Sequence, residues 1–244
     1  VLLRDRTEAA QAEALKESLL SVVAHELKTP VQAIRLQTES LLADDGAWTP
    51  DFRKELLANL DEAARHLQSL INDWLDVARI DGGVFLIEKR VLSLASVLRK
   101  AARLAQARYD FRWRFEIDDE AACLPGDPER LTQLFSNLFT NAARYARTRV
   151  PPEILVRAVR VENEVHIHVL DNGIGIRPED RERIFDRFYQ ADRGNRRRSG
   201  GTGLGLVICR AICEAHGGSI TARGREDVPG ADLFVRLPLF SDET

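Results

Sequence analysis

Two long amphipathic segments in the first third of the chain limit its possible folds more than any other feature. Residues 1–43 carry an apolar residue at about every third or fourth position, and residues 50–79 repeat this pattern. The segment between them, 44–50, contains glycine and proline, and Thr49 followed by Pro50 is typical of a helix start. The sequence therefore predicts two helices joined by a short loop, which form an antiparallel hairpin.

A single hairpin cannot bury the apolar stripes of both helices. The stripes comprise Leu15, Leu19, Leu27, Ile34 and Leu41 on the first helix and Leu56, Leu60, Leu67, Leu70 and Trp74 on the second. We therefore expect two copies to pair as a homodimer with a four-helix bundle. The charged, heptad-like start of the first helix is typical of a coiled coil that enters from an upstream element.

The pattern changes after Gly82 and Gly83, which we interpret as a helix end and a hinge. The remainder alternates helices with strands, which predicts an α/β sandwich with one mixed sheet and helices on one face. The expected domains are 1–80 and 81–244. The expected helices are 94–107, 127 or 128 to about 147, and 203–216, and the expected strands are 111–117, 154–161, 165–170, 219–222 and 233–238.

Composition narrows the choice of partners and compartment. The chain has 244 residues and a net charge of −3, which gives no general attraction to nucleic acid or to anionic membranes. We find no apolar run of transmembrane length and no signal peptide. Three cysteines without framework spacing favour a reducing, cytoplasmic location. Because the chain starts at Val1 and lacks methionine, we expect a longer protein with a sensor or membrane segment upstream.

Two residue pairs have the spacing of possible metal ligands. Cys209 and Cys213 are four residues apart on an expected helix, and His166 and His168 are two apart on an expected strand. Either pair could share a metal, but neither comes with further ligands. We favour packed, small apolar side chains for the cysteines and a solvated strand face for the histidines.

The segment Ser21–Pro30, SVVAHELKTP, places His25 at the edge of the first apolar stripe. Pro30 removes a backbone donor about one turn later and is expected to bend the helix. A histidine beside a carboxylate on a helix shoulder is accessible to another domain. The alternative is an ordinary surface histidine.

Three amide side chains lie on one face of the helix that starts near Pro128. Gln133, Asn137 and Asn141 are four residues apart, so they project from the same side. Buried amides need partners, and phosphate-bound magnesium would provide one because it takes oxygen ligands. The alternative is an exposed polar face.

The strand VHIHVL is followed directly by Asp171 and the glycine-containing turn DNGIGI. A carboxylate at a strand end can accept a hydrogen bond from an exocyclic amine such as that of adenine. Ile174 and Ile176 can cover the face of a ring, and the glycines allow close backbone approach. Ordinary turns also carry Asp and Gly, so this motif has a second interpretation.

A glycine-rich stretch, GGTGLGL from Gly200, opens the next expected helix. Backbone amides at such a helix start bind phosphate well. A basic segment precedes it, and its arginines are either a lid over a triphosphate or a solvated charge run; we favour the lid. These arginines are Arg193, Arg196, Arg197 and Arg198, and the aromatic residues expected to anchor the lid are Phe185, Phe188 and Tyr189.

With these motifs in order, the chain resembles the cytoplasmic core of a bacterial sensor histidine kinase of a two-component system. HELKTP resembles the phospho-acceptor box, NLFTNAARYA the N box, DNGIGI the first glycine box, IFDRFY the F box and GGTGLGL the second glycine box. The resemblance implies a dimeric helical hairpin followed by an ATP-binding domain of the Bergerat or GHKL type. It also implies ATP and Mg²⁺ as cofactors.

The resemblance implies roles in phosphoryl transfer for five residues. His25 would accept the γ-phosphoryl group from ATP, and Glu26 would act as its general base or orient its ring. Thr29 would position water when the chain dephosphorylates its partner. Asn141 would hold Mg²⁺, with Asn137 nearby on the phosphate side.

The resemblance also implies a set of nucleotide contacts. Asp171 would bind adenine, Arg144 would contact phosphate and Tyr145 would flank the base. The nucleotide loops would comprise Gly173, Ile174, Gly175, Gly201, Thr202, Gly203, Leu204 and Gly205.

The implied activity is autophosphorylation of His25, followed by transfer to an aspartate of a response regulator receiver domain, with phosphatase activity toward the same partner. Two alternatives belong to other functional classes: a dimeric nucleotide-binding scaffold without kinase activity, and an ATPase of the gyrase, Hsp90 and MutL type. Those ATPases resemble one another in using a glutamate to activate water where this chain has Asn137. An amide cannot act as that base, so we favour the kinase.

Overall fold

The computed structural model describes residues 23–24, 26–43, 48–106, 109–147, 150–191, 202–225 and 229–239. The chain forms two compact units, Val1–Leu75 and Asp76–Thr244. The boundary between them lies inside the second long helix, five residues before the expected domain boundary at residue 80. The domain division at 80 and 81 stays a prediction.

The first unit contains the two predicted long helices. Helix α1 covers residues 26–42 and continues through Pro30, so the bend stays a prediction. Helix α2 spans Pro50–Asp81, and the backbone N–H of Phe52 donates to Thr49 Oγ1 across 3.3 Å, which confirms the predicted cap. Within the described residues, neither helix combines the length and apolar character that a membrane crossing requires.

The second unit is built on a five-stranded mixed sheet. Its strands are β2 (Arg112–Ile117), β4 (Glu153–Val161), β5 (Glu164–Asp171), β6 (Ser219–Gly224) and β7 (Ala231–Pro238), in the order β2-β4-β5-β7-β6. Strands β2 and β4 are parallel, and the other neighbouring pairs are antiparallel. Strands β1 (Arg90–Ser93) and β3 (Cys123–Gly126) form a separate antiparallel pair.

Helices α4 (Pro128–Arg144) and α5 (Gly205–Ala215) pack against this sheet, and α3 (Leu94–Gln106) packs against α4. Alternate residues of β4 and β5 are fully or nearly fully buried, which is the two-residue period of a half-covered sheet. They are Ile154, Val156, Ala158, Val165, Ile167 and Val169. Helix α4 contributes Phe135 and Phe139, which are both fully buried. The predicted α/β sandwich is confirmed.

Both helices that flank the functional motifs are shorter than the sequence predicts. Helix α4 ends at Arg144 rather than near 147, because the carbonyl oxygen of Tyr145 accepts a hydrogen bond from Ile174 N–H across 3.0 Å. Helix α5 begins at Gly205 rather than Gly203. Gly203 has φ +69°, which lies outside the right-handed helical region. In both places the chain leaves the helix to shape a loop of the site.

Candidate functional site

Asp171 lies at the end of β5 and is held by backbone donors. Its Oδ1 accepts hydrogen bonds from the N–H groups of Gly173 at 2.8 Å and Ala231 at 3.0 Å. Burial raises the pKa of the carboxyl above its usual value, although these N–H groups and the charge of Arg225 oppose that change. Among the described residues, nothing donates to the second oxygen, Oδ2. One acceptor is therefore free for a ligand with an amine.

The loop after Asp171 packs closely against the chain that leaves α4. A Cβ added to Gly173 would lie 2.6 Å from the carbonyl oxygen of Tyr145, so no side chain fits there. Asn172 Oδ1 accepts from the N–H of Glu153, and its Nδ2 donates to the carbonyl oxygen of Pro151 at 2.9 Å. The structure therefore brings Asp171 and Tyr145 to the same part of the second unit. Two other residues of this loop, Ile174 and Gly175, have exposed and half-buried surfaces, respectively.

Helix α4 presents two of its three predicted amides to this region. Asn137 Nδ2 donates weakly to the carbonyl oxygen of Gly205, across 3.4 Å, which joins α4 to the first turn of α5. The side chains of Asn141 and Arg144 make no hydrogen bond to another described residue, and both are half-buried. Gln133, in contrast, donates to Asp76 and accepts from Arg130, so its partners lie within the chain rather than on a ligand.

The glycine loop at the start of α5 contacts the F-box segment through its backbone. Phe188 N–H donates to the carbonyl oxygen of Gly203 across 3.2 Å, and a Cβ on Gly203 would lie 2.7 Å from Phe188 Cα. Thr202 Oγ1 accepts from Leu204 N–H at 3.3 Å. The side chain of Leu204, at the N-cap position, caps none of the first amides of α5. Helix α5 therefore begins with backbone donors that an anion can use.

Three further residues of the site were missed by sequence reasoning. A Cβ on Gly175 would lie 2.8 Å from the carbonyl oxygen of Gly230, and Gly230 packs in turn on the carbonyl group of Asp171. Ala231 donates to Asp171, and Arg225 Nη1 donates to the carbonyl oxygen of Asp171 at 3.2 Å. These residues lie more than 50 positions after Asp171. The glycine in GADLF is the one signal that could have found them.

The two possible metal pairs have other partners. Cys209 and Cys213 are both fully buried, and burial raises the pKa of the Cys213 thiol to about 12. They pack as small apolar side chains, as predicted. His166 and His168 pair with Glu164 and Asp232, and both rings also contact Phe234, so their strand face is only partly solvated. No group of three or more His, Cys, Asp or Glu with metal-binding geometry occurs in the described ranges.

Several predicted functional residues fall elsewhere in the chain. His25, Gly201 and the lid arginines, Arg193, Arg196, Arg197 and Arg198, lie outside the described residues. Glu26 and Thr29 lie in α1, within the first unit, where Glu26 is half-buried and Thr29 is exposed.

Two family models match the chain in succession. The model described as "His Kinase A (phospho-acceptor) domain" matches residues 15–83, and "Histidine kinase-, DNA gyrase B-, and HSP90-like ATPase" matches residues 126–241. The sensor protein kinase WalK of Staphylococcus haemolyticus is 34% identical over 239 residues, which are 97% of this chain and 39% of WalK. The chain thus spans about two fifths of this relative.

Solved structures of histidine kinases are also similar to this chain. Full-length ShkA in complex with AMPPNP is 28% identical, with a TM-score of 0.63 over 91% of this chain and 45% of ShkA. The histidine kinase ThkA in complex with the response regulator protein TrrA shares the fold, at 21% identity and a TM-score of 0.63 over 96% of this chain and 65% of ThkA. The chain therefore belongs to the sensor histidine kinases of two-component systems and carries their phospho-acceptor and ATPase-type domains.

Proposed function

We propose that this chain phosphorylates its own His25 from ATP and passes the phosphoryl group to an aspartate of a response regulator. The observation that carries the proposal is the grouping of three elements in one region of the second unit. These are a half-buried carboxylate with a free oxygen at Asp171, the amide face of Asn137 and Asn141, and the uncapped start of α5. Together they match the amine, the metal-bound phosphates and the phosphate oxygens of a nucleotide.

Adenine recognition is assigned to Asp171 and its neighbours. Its free Oδ2 accepts a hydrogen bond from the exocyclic amine, while Gly173 and Ala231 hold Oδ1 in place. Ile174 is 41% exposed and is available to cover a ring face. Tyr145 flanks the base from the end of α4. A guanine ring carries a carbonyl oxygen at the corresponding position, which would face the same carboxylate without a proton to share.

The phosphate side is assigned to the glycine loop and α4. The amides around Gly203 and Gly205 bind phosphate oxygens, with Thr202 and Leu204 shaping the loop, and Arg144 supplies a positive charge. The oxygens of Asn141 and Asn137 are suited to Mg²⁺, because neither amide oxygen accepts a hydrogen bond from another described side chain. When bound, Mg²⁺ neutralises charge on the triphosphate.

The chemical step needs a neutral imidazole, which His25 can supply near pH 7. A ring nitrogen of His25 attacks the γ-phosphorus while the bond to the β–γ bridging oxygen breaks, and ADP leaves. Glu26 orients the ring or accepts the proton that the ring loses. For the reverse function, phosphatase activity toward the partner, Thr29 positions the attacking water. For this step, opening at the Gly82–Gly83 hinge lets the nucleotide-binding residues that follow it reach His25.

We infer two protein partners. Apolar side chains remain exposed on both helices of the hairpin, which supports a homodimer with a four-helix bundle. They include Val31, Leu36, Leu42, Phe52, Leu57 and Ile71. The second partner is a response regulator receiver domain, as in the ThkA complex. The cytoplasm is the compartment in which ATP and such a partner are both present.

The test is incubation of the chain with γ-labelled ATP and Mg²⁺, following both protein-bound label and free phosphate. We expect acid-labile, alkali-stable label on the protein, and no label on the Asn141→Ala variant. Steady release of phosphate without labelled protein would instead support the ATPase alternative. Bound nucleotide with neither label nor phosphate release would support the scaffold.

A further inference from the structure

The last turn and a half of α2 belongs to the nucleotide-bearing unit, which begins at Asp76. Asp76 is only 4% exposed, although it is a charged residue near the end of a surface helix. A buried carboxylate needs partners, because its desolvation is costly. Its partners therefore indicate what this end of α2 is fixed to.

Two residues of α4 hydrogen-bond to the Asp76 carboxylate, and Arg79 of α2 adds an ion pair across 3.6 Å. Arg130 Nη1 lies 2.8 Å from Oδ1 and 2.9 Å from Oδ2, and Gln133 Nε2 donates to Oδ2 across 2.7 Å. Arg130 Nη1 also donates to Gln133 Oε1 at 2.9 Å, and its guanidinium lies 4.7 Å from the centre of the Phe85 ring. Each polar group of this cluster therefore fixes the others, and the cluster holds the first half of α4.

The cluster continues directly into the amide face of α4. Gln133, Asn137 and Asn141 are one helical turn apart, so a rotation or shift of α4 at Gln133 moves the other two amides as well. Asn137 in turn donates to the carbonyl oxygen of Gly205 at the start of α5. A displacement at Asp76 would thus shift both the amides of α4 and the start of α5.

A second carboxylate of α2, Asp81, is linked through the F-box segment to the glycine loop before α5. Asp81 forms a two-pronged ion pair with Arg187, whose neighbour Phe188 donates its backbone N–H to the carbonyl oxygen of Gly203. This pair is about half exposed and is expected to be weak. Both links are made on the helix side of Gly82 and Gly83, so they restrain the hinge that the proposed function uses.

We propose that Asp76 is a positioning residue through which α2 sets the nucleotide-binding geometry of α4. This inference rests on the proposed function and adds the regulation of its site. Helix α2 runs from the phospho-acceptor hairpin into the nucleotide-bearing unit. A change in α2 alters the hold of Asp76 on Gln133 and thereby the placement of Asn137 and Asn141. Such a route requires evidence of energetic coupling, which a double-mutant cycle supplies.

The experiment measures the affinity of the full chain for a non-hydrolysable ATP analogue with Mg²⁺, well below the unfolding temperature of each variant. Asp76→Asn removes the charge and keeps the shape, and Gln133→Leu breaks the same link from α4 while leaving Arg130 paired with Asp76. Asp61→Asn is the matched control, because Asp61 lies in α2 and pairs with Arg65 on the surface. The double variant Asp76→Asn with Gln133→Leu completes the cycle.

We expect each single substitution to weaken nucleotide affinity about three- to thirty-fold. The double variant should be no weaker than the weaker-binding single variant, since both act through one link, and Asp61→Asn should bind as the unaltered chain does. Unchanged affinity in both single variants, even with lower unfolding temperatures, would reduce Asp76 to a structural ion pair and overturn the inference. Additive losses in the double variant would also overturn it. If the unaltered chain bound no adenine nucleotide, the proposed function itself would fail.

Discussion

The backbone N–H of Asp127 donates to Nε2 of His216 across 2.9 Å, while His216 Nδ1 lies 2.7 Å from the carbonyl oxygen of Ile212. The ring is therefore a neutral imidazole with its proton on Nδ1. Asp127 also caps α4 through Glu129 N–H and Arg130 N–H, so one histidine joins the end of α5 to the start of the amide-bearing helix.

This relationship predicts a pH dependence of stability. Burial and the nearby Lys89 lower the pKa of His216, against opposing effects of the Ile212 carbonyl group and Asp127. Below pH 6.5, His216 binds a proton more readily in the unfolded chain than in the folded chain. Its contribution to the free energy of unfolding is therefore fully present above pH 6.5 and is lost as the pH falls toward the lowered pKa. We expect the free energy of unfolding to fall between pH 7 and pH 5, measured by urea denaturation.

His216→Gln tests the origin of that slope, since an amide oxygen can still accept from Asp127 N–H. We expect this variant to be less stable at pH 7 by about 1–3 kcal/mol and to lose part of the decline at acid pH. His66→Gln, in α2, controls for removal of a histidine. A slope in His216→Gln equal to that of the unaltered chain would assign the effect to other groups.

Gly203, in the loop that we propose binds phosphate, has a matched control in Gly83. Both have positive φ, +69° and +65°, but a Cβ on Gly203 would collide with the backbone of Phe188. Around a Cβ on Gly83, no described residue other than its chain neighbours has an atom within 4 Å. Gly83→Ala should therefore cost about 1 kcal/mol of unfolding free energy for the left-handed backbone alone. Gly203→Ala should cost about 2–4 kcal/mol and weaken nucleotide binding. Equal losses in urea denaturation would show that the contact with Phe188 is not restrictive.

Asp171→Asn should replace the free acceptor Oδ2 with an NH₂ group, which is a hydrogen-bond donor. The amide oxygen can still accept from Gly173 and Ala231, so its NH₂ group would face the ligand and oppose the amine of adenine. We expect ATP affinity to fall about 10- to 100-fold, from the loss of one hydrogen bond to a charged group. Discrimination against GTP should fall as well.

Calorimetric titration with both nucleotides measures this change, and Asp118→Asn, at an exposed position after β2, is its control. An unchanged ratio of ATP to GTP affinity in Asp171→Asn would remove Asp171 from base recognition. As the pH is lowered, ATP affinity should begin to fall at a higher pH than it would if an aspartate with an ordinary pKa bound the base. The reason is that the pKa of Asp171 is raised, so its carboxylate is protonated earlier.

The elements with strong local signals were predictable from the sequence. The period of α2, the Thr49 cap and the buried alternation of β4 and β5 depend on neighbouring residues, and the structure confirms them. Strands β1 and β3 were not predicted, because each has only four residues and β3 contains Pro125.

The partners across the fold were less predictable. Spacing placed Gln133 on the face of Asn137 and Asn141, but its partner is Asp76, which lies 57 positions earlier. The same holds for Ala231 on Asp171, 60 positions apart. The spacing of residues within a helix or turn determines the direction in which a side chain projects. The residue that it contacts depends on how distant segments of the chain pack.

The measurement that tests the central claim most directly locates the phosphoryl group on the chain. The unaltered chain, His25→Gln and His66→Gln are incubated with γ-labelled ATP and Mg²⁺, and acid-labile, alkali-stable label is measured on each. We predict equal label on the unaltered chain and His66→Gln, and none on His25→Gln. Label that persists on His25→Gln would contradict the assignment of His25 as the phospho-acceptor.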